Sequence, residues 1–253
     1  ALGACMEMIH MATLIHDDVI DHAATRRGRA TASAVFGNTA AILSGDVLLA
    51  KAMRLLAEDG DLTIIRTVSQ IVVDLAQGEV LELQTRGDFD LPEDVHHRIL
   101  SMKTATFIQA CCEVGGLIAN AQTEVLRTFG FHIGMAFQIA DDLIDYRGSE
   151  AATGKPKATD FREGCATLPL ILLRDRLNDE ERAFVEGKFG QPVADEELKL
   201  IAKWMDQRGA FSDSETAARE HLRLALDSLS KLPDLPERRL LEGVAEFVVS
   251  RQL

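Results

Sequence analysis

One short pattern occurs twice in this chain and limits what it can be. Asp17-Asp18-Val19-Ile20-Asp21 and Asp141-Asp142-Leu143-Ile144-Asp145 both have the form D-D-x-x-D. Each follows apolar residues, Leu14-Ile15 in the first case and Phe137 with Ile139-Ala140 in the second. On a helix the first and fifth residues project about 40° apart, so three carboxylates crowd one face. Like charges at that spacing destabilise a helix, and the apolar neighbours place both clusters in largely buried helices. A hard divalent cation offsets the repulsion. Magnesium takes oxygen ligands, typically one or two carboxylates with water and substrate phosphates. One copy alone reads as an acidic helix surface. Two copies, each next to a polar break, predict a pair of metal sites that clamp a diphosphate.

The rest of the chain reads as helices. Aromatic residues are only 5% of the sequence, and the apolar content is mostly Ala, Leu, Ile and Val, which favours helices over a β-sandwich. Leu2, Met6, Ile9, Thr13 and Ile20 fall near helical spacing. Helices are expected over residues 1–19, 39–58, 61–86, 93–121, 122–146, 165–177, 179–188, 195–208, 212–232 and 236–250. A kink is expected at Gly115-Gly116. Residues 23–31 read as a break, 87–92 as a loop, and 147–164 as a long polar connection. There is no strand alternation, repeat or low-complexity linker. The expected class is all-α, with residues 1–253 as a single domain. Residues 1–19 begin as a helix in progress without a cap, so further N-terminal helices are expected before Ala1.

Charge and cysteine usage exclude several functions. A net charge of −13 suits neither DNA nor RNA, whose phosphates need basic stripes. No apolar run approaches the roughly 20 residues of a membrane span. Cys5, Cys111, Cys112 and Cys165 show no C-x-x-C zinc spacing and read as reduced thiols of a cytoplasmic protein. The basic residues cluster in order around the aspartates: Arg26-Arg27-Gly28 after the first motif, Lys103-Thr104 in an apolar helix, and Lys155 and Lys157 after the second. Arginine forks match phosphate oxygens, and a lysine in an apolar helix needs a partner. Diphosphate binding accounts for both.

T-L-I-H-D-D-V-I-D followed by R-R-G resembles the first aspartate-rich region of the trans-isoprenyl diphosphate synthases, and F-Q-I-A-D-D-L-I-D-Y resembles their second. M-K-T at Met102–Thr104, G-K at Gly154-Lys155 and A-T-L-P-L at Ala166–Leu170 match further signatures in the same order. The likeness is strongest to octaprenyl- and decaprenyl-type synthases. It implies a bundle of long, mostly antiparallel helices around a central cavity (the isoprenoid synthase fold), usually a homodimer.

It also implies residue roles. Asp17, Asp18, Asp21, Asp141 and Asp142 would hold magnesium, three ions in all, with Asp145 supporting the second cluster. Arg26, Lys103 and Lys155 would contact the allylic diphosphate, and Arg27 the isopentenyl diphosphate. Thr104 and Gln138 would line the reacting region, so that Lys103 and Gln138 join the aspartates in catalysis.

Two departures stand out. The family's G-K-x-x-R-P stretch before the first motif has no counterpart here, and Cys165 stands where many members carry a lysine. The expected reaction ionises the allylic diphosphate and attacks the cation with the double bond of isopentenyl diphosphate. One turn and more before Asp17 lie the small Thr13 and Ala12, then Met8, Ile9 and Cys5, which imply a product longer than fifteen carbons. A class I terpene cyclase and a non-catalytic subunit of a heteromeric synthase are the rival functions.

Overall fold

The computed structural model describes residues 1–148 and 157–250, and these are overwhelmingly helical. They divide into two compact units, residues 1–72 and 73–253.

In the first unit, α1 (Leu2–Ile20) buries Leu2, Cys5, Met6, Ile9 and Ala12, a stripe at helical period. After a short helix, α2 (Ala32–Phe36), α3 (Asn38–Asp59) meets α1 with small residues, Ala41, Gly45 and Ala52, followed by Leu56. Cys5 Sγ lies 3.4 Å from the Ala52 carbonyl, and His16 Nε2 lies 3.1 Å from that of Ile42. The early part of one helix therefore meets the late part of the other, and the pair is antiparallel. Gly60, at φ 78°, closes α3 in the left-handed conformation. Asp61 Oδ1 then accepts from the Thr63 and Ile64 amides and starts α4 (Leu62–Thr85).

Residues 23–31, expected as a plain break, form a hairpin of β1 (Thr25–Arg26) and β2 (Arg29–Ala30). Its two-residue loop is Arg27-Gly28, at φ 51° and 73°, the left-handed pair that suits the twist of a tight hairpin. Two-residue strands have no alternation to read, which is why the pattern shows only in the fold.

In the second unit, α7 (Thr123–Arg147) is buried on most of its circumference, from Phe129 to Tyr146, and is the central element. α5 (Glu93–Leu100) leads through a π-helical turn, Ser101–Ala105, into α6 (Thr106–Ile118). This run crosses α7 antiparallel at very short range. A Cβ on Gly134 would lie 2.6 Å from Ala105 Cα, and one on Gly130 2.7 Å from Gln109 Cα. On another side α12 (Ala210–Leu229) runs antiparallel to α7, with Ser228 Oγ donating to the Val125 carbonyl and His221 against His132. α13 (Pro236–Ser250) packs on both. Around the C-terminal end of α7, Leu143 and Tyr146 join a core with Phe161 of α8 (Thr159–Glu163), Leu170 and Leu173 of α9 (Leu168–Arg174), Val185 of α10 (Asp179–Glu186) and Ile201 of α11 (Asp195–Gln207).

At Gly115-Gly116, where a kink is expected, the helix is continuous. Gly116 instead admits Leu126 and Thr123 where α7 begins. The irregularity falls at Ser101–Ala105, and π-helical turns of this kind gather at functional positions. The helix expected over 165–177 is shorter, because Thr167 is its N-cap and Pro169 occupies its first turn.

Candidate active site

The first aspartate motif ends α1. Asp17 and Asp18 lie in the last turn and Asp21 is the C-cap residue, with no basic residue in that turn. The helix dipole is negative at this end, so it adds to the repulsion among the carboxylates. The chain leaves the helix through paired bonds, Ala23 N–H to the Asp18 carbonyl at 3.0 Å and His22 N–H to that of Val19 at 3.3 Å. This exit forces His22 to φ 53°. The β1–β2 hairpin then turns back. Arg26 Nε donates to Asp18 Oδ1 at 2.6 Å, and the Asp18 carboxylate is buried. Arg27 is exposed at the hairpin tip. Thr31 ties the base, its Oγ1 donating to the Ala23 carbonyl at 2.7 Å.

The second unit holds the other expected residues except Lys155, which lies outside the described ones. Lys103 and Thr104 project from the π-helical turn. Gly78 of α4 lets this turn approach, since a Cβ there would lie 2.8 Å from Met102 Cβ and 3.0 Å from the Lys103 amide nitrogen. Lys103 Nζ thereby reaches Glu79 at 2.8 Å and Glu82 at 2.7 Å. Burial works to lower the Lys103 pKa, but Glu82 and Glu79 outweigh it and raise the value. Thr104 Oγ1 donates to Gln138 Oε1 at 3.0 Å, and Gln138 Nε2 points at Asp142 Oδ1 at 3.4 Å.

In the second motif Asp141 is exposed, Asp142 buried and Asp145 half-buried. Asp145 accepts from the Thr159 and Asp160 amides, each at 3.0 Å, and so holds the start of α8. Asp160 stands close by. Burial, with Asp145 and Asp142 adding repulsion, raises its pKa well above the usual carboxylate range. Cys165 lies in the same acidic neighbourhood, its thiol pushed up to about 12 by burial first and Glu82 second. Lys157 is exposed.

Asp18 turns to Arg26 and Asp145 to backbone amides. Among the described residues no three acidic, histidine or cysteine side chains meet at metal-ligand spacing. Magnesium takes few protein carboxylates and completes its shell with water and phosphate. Both donor sets are hard oxygens, and Asp142 Oδ2 is buried without a hydrogen bond. Residue patterns alone missed Glu79 and Glu82, although the E-x-x-E spacing beside a mid-helix glycine is visible in the sequence.

An all-α chain with two oxygen-rich helix ends flanked by arginine and lysine is built to handle a diphosphate. The sequence profile of the polyprenyl synthetase family matches residues 1–205, which run through both units. The octaprenyl diphosphate synthase of Escherichia coli (strain K12) is 34% identical over 253 residues, covering 99% of this chain and 78% of that protein. The crystal structure of a decaprenyl diphosphate synthase from Rhodobacter capsulatus superposes with a TM-score of 0.94 at 36% identity, over 100% of this chain and 79% of that one. A polyprenyl synthase from Caulobacter crescentus CB15, solved with calcium and isoprenyl diphosphate, gives 0.93 at 35% identity, covering 100% and 78%.

The chain belongs to the polyprenyl synthetase family and has the isoprenoid synthase fold. It is a prenyltransferase, condensing an allylic diphosphate with isopentenyl diphosphate into an all-trans polyprenyl diphosphate. The terpene-cyclase and non-catalytic-subunit readings gain no support from these relatives. No helix among the described residues is long and apolar enough to cross a membrane.

Proposed function

We propose that residues 1–253 work as a single magnesium-dependent synthase domain in which Asp17, Asp18, Asp21, Asp141, Asp142 and Asp145 hold three ions against diphosphate. One observation carries this reading. Each motif buries one carboxylate near the C-terminal end of a helix, Asp18 in α1 and Asp142 in α7, where burial and the helix dipole both oppose negative charge. Bound magnesium supplies Lewis-acid neutralisation of the charge that develops on the leaving pyrophosphate. Arg26, Lys103 and Lys155 bind the allylic diphosphate and Arg27 the isopentenyl diphosphate. Thr104 and Gln138 line the reacting region. As the allylic C–O bond breaks, its electron pair leaves with pyrophosphate. The double bond of isopentenyl diphosphate forms the new C–C bond, and the proton then lost goes to pyrophosphate.

The direct test incubates the protein with magnesium, labelled isopentenyl diphosphate and a panel of allylic diphosphates. A ladder ending at long polyprenols is expected. Asp18→Asn and Asp142→Asn should each lower kcat by about 100- to 1000-fold, the scale of losing one group that stabilises developing charge. No elongation from any starter would defeat the proposal.

Octaprenyl and decaprenyl relatives, with small Ala12 and Thr13 before the first motif, support a product longer than fifteen carbons. Ala12→Phe should shorten it, read by chromatography alongside a thermal melt because Ala12 is buried. An unchanged ladder end in a folded variant counts against placing the product along this part of α1. We also assign the protein to the cytoplasm, on its four free cysteines, and to a homodimer, on the exposed Ile42, Leu43 and Val47 of α3. Light scattering at assay concentration tests the dimer.

A further inference from the structure

We propose that His96 is a positioning residue for Asp142, clamping the carboxylate in the orientation that a divalent cation needs; this rests on the assignment of Asp142 as a metal ligand. His96 lies on α5 and is 4% exposed, and Asp142 on α7 is 3% exposed. Their Nε2 and Oδ2 atoms are 3.4 Å apart. Both atoms are buried without any hydrogen bond of ordinary geometry. A buried polar atom left unsatisfied costs about 1–3 kcal/mol, and native interiors tolerate few of them. A shift of a few tenths of an ångström makes each the partner of the other.

With that contact closed, Asp142 is held at both oxygens. Oδ2 accepts from His96, and Oδ1 faces Gln138 Nε2 at 3.4 Å, with Gln138 itself held by Thr104. Each carboxylate oxygen has two acceptor positions. Donors fixed on one side set the plane of the carboxylate and leave the remaining lone pairs for a cation. Partners of this kind orient metal-binding side chains, and their loss typically costs about 10- to 100-fold in metal affinity or activity. A histidine serving only as core filler would leave cation binding untouched.

The test measures Mn²⁺ binding to the full chain in the presence of inorganic pyrophosphate, reading free Mn²⁺ by electron paramagnetic resonance. His96→Phe should weaken binding about 10- to 100-fold, and His96→Gln, which keeps an N–H donor at similar reach, should restore most of it. In an Asp142→Asn background His96→Phe should have no further effect. If Asp142→Asn weakens binding but His96→Phe does not, the role of His96 is overturned while the metal assignment stands. If Asp142→Asn itself binds Mn²⁺ like the unmutated protein, the metal assignment falls and takes this inference with it. Should the phenylalanine variant fail to fold, nitrogen-15 spectra of the imidazoles in the unmutated protein decide. A protonated Nε2 on His96 whose resonance moves in Asp142→Asn is expected, and an Nε2 without a proton overturns the proposal.

Discussion

Two residues without glycine's freedom are bent into left-handed backbone just after the first aspartate motif, His22 at φ 53° and Arg27 at φ 51°. A left-handed residue with a Cβ costs roughly 1–2 kcal/mol, and such strain gathers at functional positions. Arg27 carries a proposed role that accounts for its retention. His22 is exposed, no role is proposed for it, and its conformation is the one in which glycine usually ends a helix. His22→Gly should therefore raise the unfolding free energy by about 1 kcal/mol, measured by urea denaturation, with kcat unchanged. A loss of stability would mean that the imbalance between glycine and histidine is decided elsewhere. At the same scale, the sequence announces that Lys103 needs a partner without naming one. Glu79 and Glu82 are supplied from another helix.

Among the elements, the π-helical turn at Ser101–Ala105 matters most because it aims Lys103 and Thr104. It is pinned between two glycines of other helices, Gly78 on α4 and Gly134 on α7. A methyl group on Gly134 would meet Ala105 backbone at 2.6 Å, and backbone cannot swing aside as a side chain can. Gly134→Ala should cost about 1–3 kcal/mol, as overpacking usually does. It should also raise the KM for the allylic diphosphate, because the turn must shift to make room. A variant with unchanged melting temperature and KM would show that α6 and α7 separate at little cost. Periodicity located both helices but put the irregularity at Gly115-Gly116. A glycine pair reads as a kink when only one helix is in view, whereas Gly116 serves a crossing between two.

At the scale of the whole molecule, acid should loosen the grip of α12 on α7. The Nδ1 atoms of His132 and His221 lie 2.9 Å apart, so one ring donates and the other accepts. Burial, followed by the nearby His132 and His97, lowers the His221 pKa to about 4, with Glu220 opposing weakly. Burial also lowers that of His132. An unfolded histidine titrates near 6.5. Between that value and about 4 the unfolded chain therefore binds more protons, and stability falls as pH drops. From pH 7 to pH 5 the loss from this site should be about 1 kcal/mol, allowing for solvent screening of partly exposed rings. His221→Gln should show a shallower fall in urea midpoint over the same range. An equal fall would assign the acid sensitivity to groups other than this histidine pair.

The sequence by itself determined the all-α class, the order of the long helices and the identity of the two aspartate motifs with their basic neighbours. Those properties are local: helical period, capping and D-D-x-x-D spacing lie within a few residues of one another. Tertiary structure alone decided how the carboxylates are used. Asp18 is buried against Arg26 because a hairpin too short to leave a sequence pattern folds back over the helix end. Asp142 is buried between Gln138 and His96, and Asp145 is spent on the amides of α8. Apart from Gln138, which shares α7 with Asp142, these partners come from other elements, and the energies of the contacts depend on burial and approach distance. Neither quantity exists until the helices have packed.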